Sequence, residues 1–137
     1  MDKIEHIGIA VKDLEASNLV FEKLFGAPHY KIEEVASEGV RTSFFKSGPN
    51  KIELLEATHE NSPIAKFLDR KGEGIHHIAF AVVDIKQEIK RLKKEGFTVL
   101  NEEPKKGADN KLVAFLHPKT TNGVLVELCQ EINSKEG

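Results

Sequence analysis

Two stretches of the chain alternate between large apolar and small or polar positions in the same way. They are His6-Ile7-Gly8-Ile9-Ala10-Val11-Lys12-Asp13-Leu14 and His77-Ile78-Ala79-Phe80-Ala81-Val82-Val83-Asp84-Ile85, half a chain length apart. Apolar, β-branched residues over a strand's length predict a strand in each. The aspartate that follows predicts a helix start, because its side-chain oxygen can accept from the orphan amides of the first turn. Asp84 and Gln87 have the spacing of a capping box. Ile85, Ile89 and Leu92 then recur at helical spacing, and Gly26 and Gly96 can take the left-handed conformation that stops a helix. Ser62-Pro63 reads as the cap and first position of a short helix through about Leu68. Further strands are predicted near 31–36, 40–47, 97–101 and 111–117. A second echo, Lys51-Ile52-Glu53-Leu54-Leu55 and Leu125-Val126-Glu127-Leu128-Cys129, ends the strands of each half. Each half is therefore strand–helix–strand–strand–strand. Gly72-Glu73-Gly74 marks the join, and the expectation is a single α+β domain over 1–137 with modules of about 1–72 and 73–137.

Side chains alternate across a strand, so the two faces can be read separately. Ile7, Ile9 and Val11 share one face, as do Ile78, Phe80 and Val82, and these should pack under the helices. The opposite faces carry His6, Gly8, Ala10 and His77, Ala79, Ala81: one imidazole and two small residues in each copy. A core-facing strand fills such a side with bulk, so the pattern predicts a hollow that admits a ligand. Glu53 and Glu127 lie inside apolar strands, where a carboxylate needs a partner. One such residue would be read as a salt bridge or an edge charge. Two carboxylates at equivalent positions, matched by two histidines at equivalent positions, point instead to His6, Glu53, His77 and Glu127 meeting at one divalent ion. Two imidazoles and two carboxylates suit Co, Ni, Mn, Fe or Zn.

Composition narrows the class. At 39% hydrophobic and 31% charged residues, the 137-residue chain can bury one core and has an ordinary soluble balance. No stretch is apolar enough to span a bilayer, and the N-terminus lacks a signal-peptide pattern. A net charge of −2 argues against nucleic acid as a partner. The single cysteine, Cys129, excludes an internal disulfide and reads as a buried reduced thiol, which suggests the cytoplasm. Lysines between Lys86 and Lys94 read as a solvated helix face, whereas Lys105-Lys106 falls in a predicted loop.

The paired pattern resembles the vicinal oxygen chelate superfamily, the glyoxalase and bleomycin-resistance fold, over nearly the whole chain. That resemblance implies two paired βαβββ modules forming a cupped mixed sheet around a metal site. Longer segments resemble the methylmalonyl-CoA epimerase family in particular: Asp2 to Val11, Asn50 to Glu56, Gly74 to Ala79 and above all Phe115 to Leu128, with its Lys119-to-Gly123 loop. The family's metal positions carry over to His6, His77 and Glu127, with Glu53 where some members have Gln. A carboxylate that serves as a base in some relatives aligns near Thr42, which cannot do that job.

The resemblance implies epimerisation of (2R)- and (2S)-methylmalonyl-CoA by proton transfer at C2 through a metal-stabilised enolate. Cobalt is the expected ion, with zinc, nickel, manganese or iron as alternatives, and a homodimer is the expected assembly. Glu127 is the first candidate for the base and Glu53, its repeat partner, for the opposite face of the enolate. Lys105, Lys106 and Lys119 are candidates for the CoA phosphates. His76 is read as a packing or supporting residue, His29 and His59 as surface groups. His117 either orients substrate or caps its turn. The alternatives are a glyoxalase I isomerase of the lactoylglutathione lyase type and a non-catalytic small-molecule-binding protein. The second is disfavoured by the retained ligands and by the absence of Trp. A ring-cleaving dioxygenase, with a His/His/Glu triad, would be obstructed by Glu53.

Overall fold

A computed structural model describes residues 1–132. The chain divides into two compact units, residues 6–76 and residues 1–5 together with 77 onward. Each is a βαβββ module with a mixed sheet, as the repeat predicts.

In the first unit, β1 (Lys3–Ala10) leads to α1 (Leu14–Phe25), β2 (Lys31–Val35), β3 (Val40–Ser47), β4 (Asn50–Ala57) and α2 (Pro63–Lys71). The sheet order is β2-β3-β4-β1, antiparallel except for the parallel pair β1–β4. Asp13 caps α1 by accepting from the Ala16 amide, and Gly26, at φ 72, ends it in the left-handed conformation. Leu14, Phe21 and Phe25 lie along one face of α1 and pack on Ile9, Val11, Phe45, Ile52 and Leu54. The Leu14 amide also donates to Glu56 Oε2 at 2.7 Å.

The second unit repeats the arrangement with β5 (Gly74–Ala81), α3 (Ile85–Lys94), β6 (Lys105–Lys106), β7 (Lys111–Leu116) and β8 (Val126–Glu131). Its sheet order is β5-β8-β7-β6, with β5 and β8 parallel. Asp84 accepts from the Gln87 amide, and Ile85, Ile89 and Leu92 pack on Val82, Ala114, Leu116, Val126 and Leu128. Burying each of those three side chains contributes about 1.5–3 kcal/mol. The Ile85 amide donates to Gln130 Oε1 at 2.8 Å. Glu56 and Gln130 each lie three residues beyond a candidate site carboxylate, so the same strand that carries the carboxylate also anchors the helix start. The Asp2 amide donates to the Ala81 carbonyl at 2.9 Å, which ties the N-terminus into this unit.

Two elements differ from expectation. Segment 97–101 forms only an isolated bridge, Val99 to Leu116. The Phe115 amide is taken by the Asn101 side chain at 2.9 Å instead of a ladder carbonyl, so pairing stops there and resumes at Lys105. Helix α2 runs past Leu68 to Lys71, with Arg70 and Lys71 favourable to its C-terminal dipole, and stops at Gly72. Among the described residues, no helix is long and apolar enough to cross a membrane.

Candidate active site

Each unit builds one buried histidine–carboxylate pair from its two parallel strands. In residues 6–76, His6 on β1 and Glu53 on β4 bring Nδ1 and Oε2 within 3.1 Å. In the other unit, His77 on β5 and Glu127 on β8 bring Nε2 and Oε1 within 3.0 Å. All four residues are about 5–6% exposed. A carboxylate at that depth is costly without a partner, and an imidazole supplies one.

The two pairs arise from one register rule. Gly8 is the Cα partner of Glu53, and Ala79 is the Cα partner of Glu127. In both cases the small residue two positions after the histidine lies beside the carboxylate. A bulky side chain there would fill the place where imidazole and carboxylate meet. The histidines use different ring nitrogens, so the repeat governs position and strand pairing without repeating each contact atom for atom.

Sequence reading missed an aromatic neighbour in each pair. Phe44 on β3 is the Cα partner of Glu53, and Phe115 on β7 is the partner of Glu127. Phe44 is fully buried, and the ring of Phe115 meets that of His77 edge-on, with centroids 6.0 Å apart. The signal for Phe44 was present: Gly48-Pro49 is a two-residue loop closing Ser47 against Asn50, which sets every pairing along that hairpin. The second hairpin closes through a longer loop, and Phe115 was harder to place.

The other flagged residues fall as follows. Thr42 is buried on the Glu53 face, with Leu55 as its Cα partner. His76 packs edge-on against Phe67 with centroids 4.9 Å apart, a packing role. His117 caps its turn, its Nδ1 accepting from the Lys119 amide at 3.0 Å. His59 is exposed. His29 departs from the expectation of a surface group: it is half-buried, with its ring edge on Phe45. Phe45 points to the helix side of β3 and offers an apolar surface that the ring covers. Cys129 is buried, its Sγ 3.6 Å from the Phe80 carbonyl. Lys105 and Lys106 form the edge strand β6, and Lys119 lies in the short 3-10 turn Pro118–Thr120.

The expected hollow is closed at one end. Ala10 is fully buried and packs with Val40, Leu55 and Ile64, with Phe67 and Leu68 of α2 beside them. The small side chain leaves room that α2 fills.

Comparison with known proteins agrees with this arrangement. The sequence model of the glyoxalase/bleomycin resistance protein/dioxygenase superfamily matches residues 5–115. The ethylmalonyl-CoA/methylmalonyl-CoA epimerase of Cereibacter sphaeroides is 45% identical over 130 residues, covering 93% of this chain and 97% of that enzyme. The mitochondrial methylmalonyl-CoA epimerase of Homo sapiens is 40% identical over 131 residues, 95% of this chain and 74% of that one. A solved structure of a methylmalonyl-CoA epimerase in complex with methylmalonyl-CoA and NH4+ matches with a TM-score of 0.91. It is 36% identical and covers 96% of this chain and 95% of that chain.

Proposed function

The chain belongs to the methylmalonyl-CoA epimerase family of the glyoxalase/bleomycin resistance protein/dioxygenase superfamily, and we propose that it interconverts (2R)- and (2S)-methylmalonyl-CoA by moving the C2 proton through an enolate. The observation that carries this reading is the buried histidine–carboxylate pair present once in each repeat. Together with the relatives' activity, it supplies the donors and the bases such a reaction needs.

The donor set fits a divalent ion. Two imidazoles and two carboxylates, all buried, are a borderline set suited to Co, with Zn, Ni, Mn or Fe as alternatives. His6, Glu53, His77 and Glu127 would hold it, within a single vicinal-oxygen-chelate domain over 1–137. A bound ion of this kind supplies Lewis-acid stabilisation for charge developing on a thioester oxygen.

The residues of the chain do the rest. Epimerisation removes a proton on one face of C2 and delivers one on the other, which two flanking groups accomplish directly. Glu127 takes the first role and Glu53 the second. Thr42 contributes no base, so the carboxylates of the two pairs are the candidates. Phe44 and Phe115 keep water from the carboxylates, which strengthens every electrostatic interaction at the pair. In this reading the protein is a cytoplasmic homodimer, as the single buried thiol and the family suggest.

The test is C2 exchange. The cobalt-loaded protein in D2O with (2R)-methylmalonyl-CoA should incorporate deuterium at C2 and form the 2S epimer, and a chelator should stop both. No exchange, under conditions where a methylglyoxal–thiol adduct is converted, would move the reading to a glyoxalase I isomerase. Neither reaction, with no bound metal, would leave a binding protein.

A further inference from the structure

Helix α1 is apolar on both sides. Its inner face packs Leu14, Phe21 and Phe25 on the sheet of residues 6–76. Its outer face carries Leu19, Val20 and Leu24, which are 59, 60 and 68% exposed. The equivalent helix of the second repeat, α3, meets solvent with Lys86, Gln87, Lys90, Arg91, Lys93 and Lys94. A helix at a water interface is polar on its outer side, as α3 is, whereas one that is apolar all round is covered. The βαβββ module tolerates either surface, so the demands of the fold do not explain the apolar side of α1.

The spacing of residues on that side identifies what covers it. Residues four apart lie along one ridge of a helix. Glu15, Leu19 and Lys23 form one ridge, and Ala16, Val20 and Leu24 form the next; all six are exposed. A two-fold axis passing between Leu19 and Val20 lays a second α1 antiparallel to the first, with these ridges parallel, the commonest class of helix packing. Leu19 and Val20 then pack on their own copies. Glu15 of each helix lies beside the partner's Lys23, so opposite charges meet twice. Ala16 lies beside the partner's Leu24, so a small side chain receives a large one. Among the described residues, neither Glu15 nor Lys23 takes part in an ion pair within the chain. One register thus matches charge with charge and size with size, and alternating signs along a ridge suit a copy of the same helix better than an anionic lipid surface.

We propose that α1 is the contact between two copies of this chain, an isologous antiparallel helix pair centred between Leu19 and Val20. The proposal rests on the homodimer reading and deepens it by naming the surface and its register.

The test is sedimentation velocity over a concentration series, at low salt, where exposed charges are least screened. The wild type should dimerise. Glu15→Lys and Lys23→Glu each set like charges together twice per dimer and should raise the dissociation constant about ten-fold. The double variant Glu15→Lys/Lys23→Glu should return it to the wild-type value. An equimolar mixture of the two single variants should form a heterodimer tighter than either homodimer, because both of its charge contacts are then attractive. Leu19→Asp should be monomeric where the wild type is dimeric. These side chains face solvent in the single chain, so circular dichroism should show each variant folded. Charge reversals without effect, or weakening that neither the double variant nor the mixture repairs, would overturn the proposal. A dimer that survives Leu19→Asp would remove α1 as the contact and keep the homodimer reading. A wild type that stays monomeric throughout would overturn both.

Discussion

Glu53 and Glu127 face the same physical problem, a carboxylate inside an apolar strand, and each meets it with one imidazole across a parallel strand pair. Their chemical duties separate on substitution. Glu127→Gln keeps the shape but removes the base, so kcat should fall by about 10²–10⁴-fold, with little change in the melting temperature of the metal-free protein. Glu53→Gln tests the second role by steady-state assay in both directions. Full retained activity would make Glu53 a ligand alone, as at a position where some relatives carry Gln. At Ala79, one of the small residues that predict a ligand-admitting hollow, added bulk should harm activity, and the structure adds a cost in stability. Ala79 is fully buried among Val113, Phe115 and Cys129, so Ala79→Leu should also cost about 1–3 kcal/mol, read by denaturant unfolding. All four candidate ligands were legible as residues, because two histidines and two glutamates recur at repeat positions. Phe44 was legible only through the hairpin that closes at Gly48-Pro49, and Phe115 was not, because an apolar residue on an apolar strand carries no local mark of the partner it will face.

The helix starts show how far local chemistry reaches. Asp13, Ser62 and Asp84 cap α1, α2 and α3 as short-range pattern predicts. The second acceptors at two of these starts, Glu56 and Gln130, come from distant strands and were invisible to it. Gln130→Ala leaves the part-buried Ile85 amide without its acceptor and should destabilise the protein by about 1–2 kcal/mol, measured by urea unfolding. On α3, the Arg91 guanidinium holds the Glu88 carboxyl below its usual range through a bidentate contact of 2.9 and 3.1 Å. A lowered folded value means that this contribution is complete above the unfolded carboxylate pKa of about 4.3 and disappears as pH falls through the folded one. Glu88→Gln should therefore differ from the wild type at pH 7 and converge with it as the pH falls below the lowered folded value in a melting series. Segment 97–101 has strand composition, yet Asn101 takes the Phe115 amide that a ladder would need. A side chain competing for one backbone donor decided that element, and composition does not report such competition.

At the scale of the molecule, the proposed ion couples function to stability. A ligand bound only by the folded chain at about 100 times its Kd adds about 2.7 kcal/mol. Chelation should then lower the melting temperature by several degrees while it abolishes C2 exchange. Restoring cobalt should recover both. Loss of activity with no thermal shift would argue against an ion held jointly by His6, Glu53, His77 and Glu127. The sealed end of the first unit's site face has a matching consequence. Phe67→Ala opens the packing over Ala10 and Leu55 and, because Phe67 is only partly buried, should cost about 1–3 kcal/mol by denaturant unfolding.

By itself the sequence determined the α+β class, the two βαβββ modules, the helix caps and stops, and which faces carry chemistry. These follow from periodicity, from capping residues and from the repeat, all of which are local or self-similar properties of the chain. Tertiary structure decided the rest. Strand register chose which residue lies beside each carboxylate and set Phe44 and Phe115 against them. Packing of α2 filled the space that Ala10 left. Register and packing depend on how hairpins close and which surfaces compete for burial, so side chains distant in sequence become neighbours only when the chain has folded.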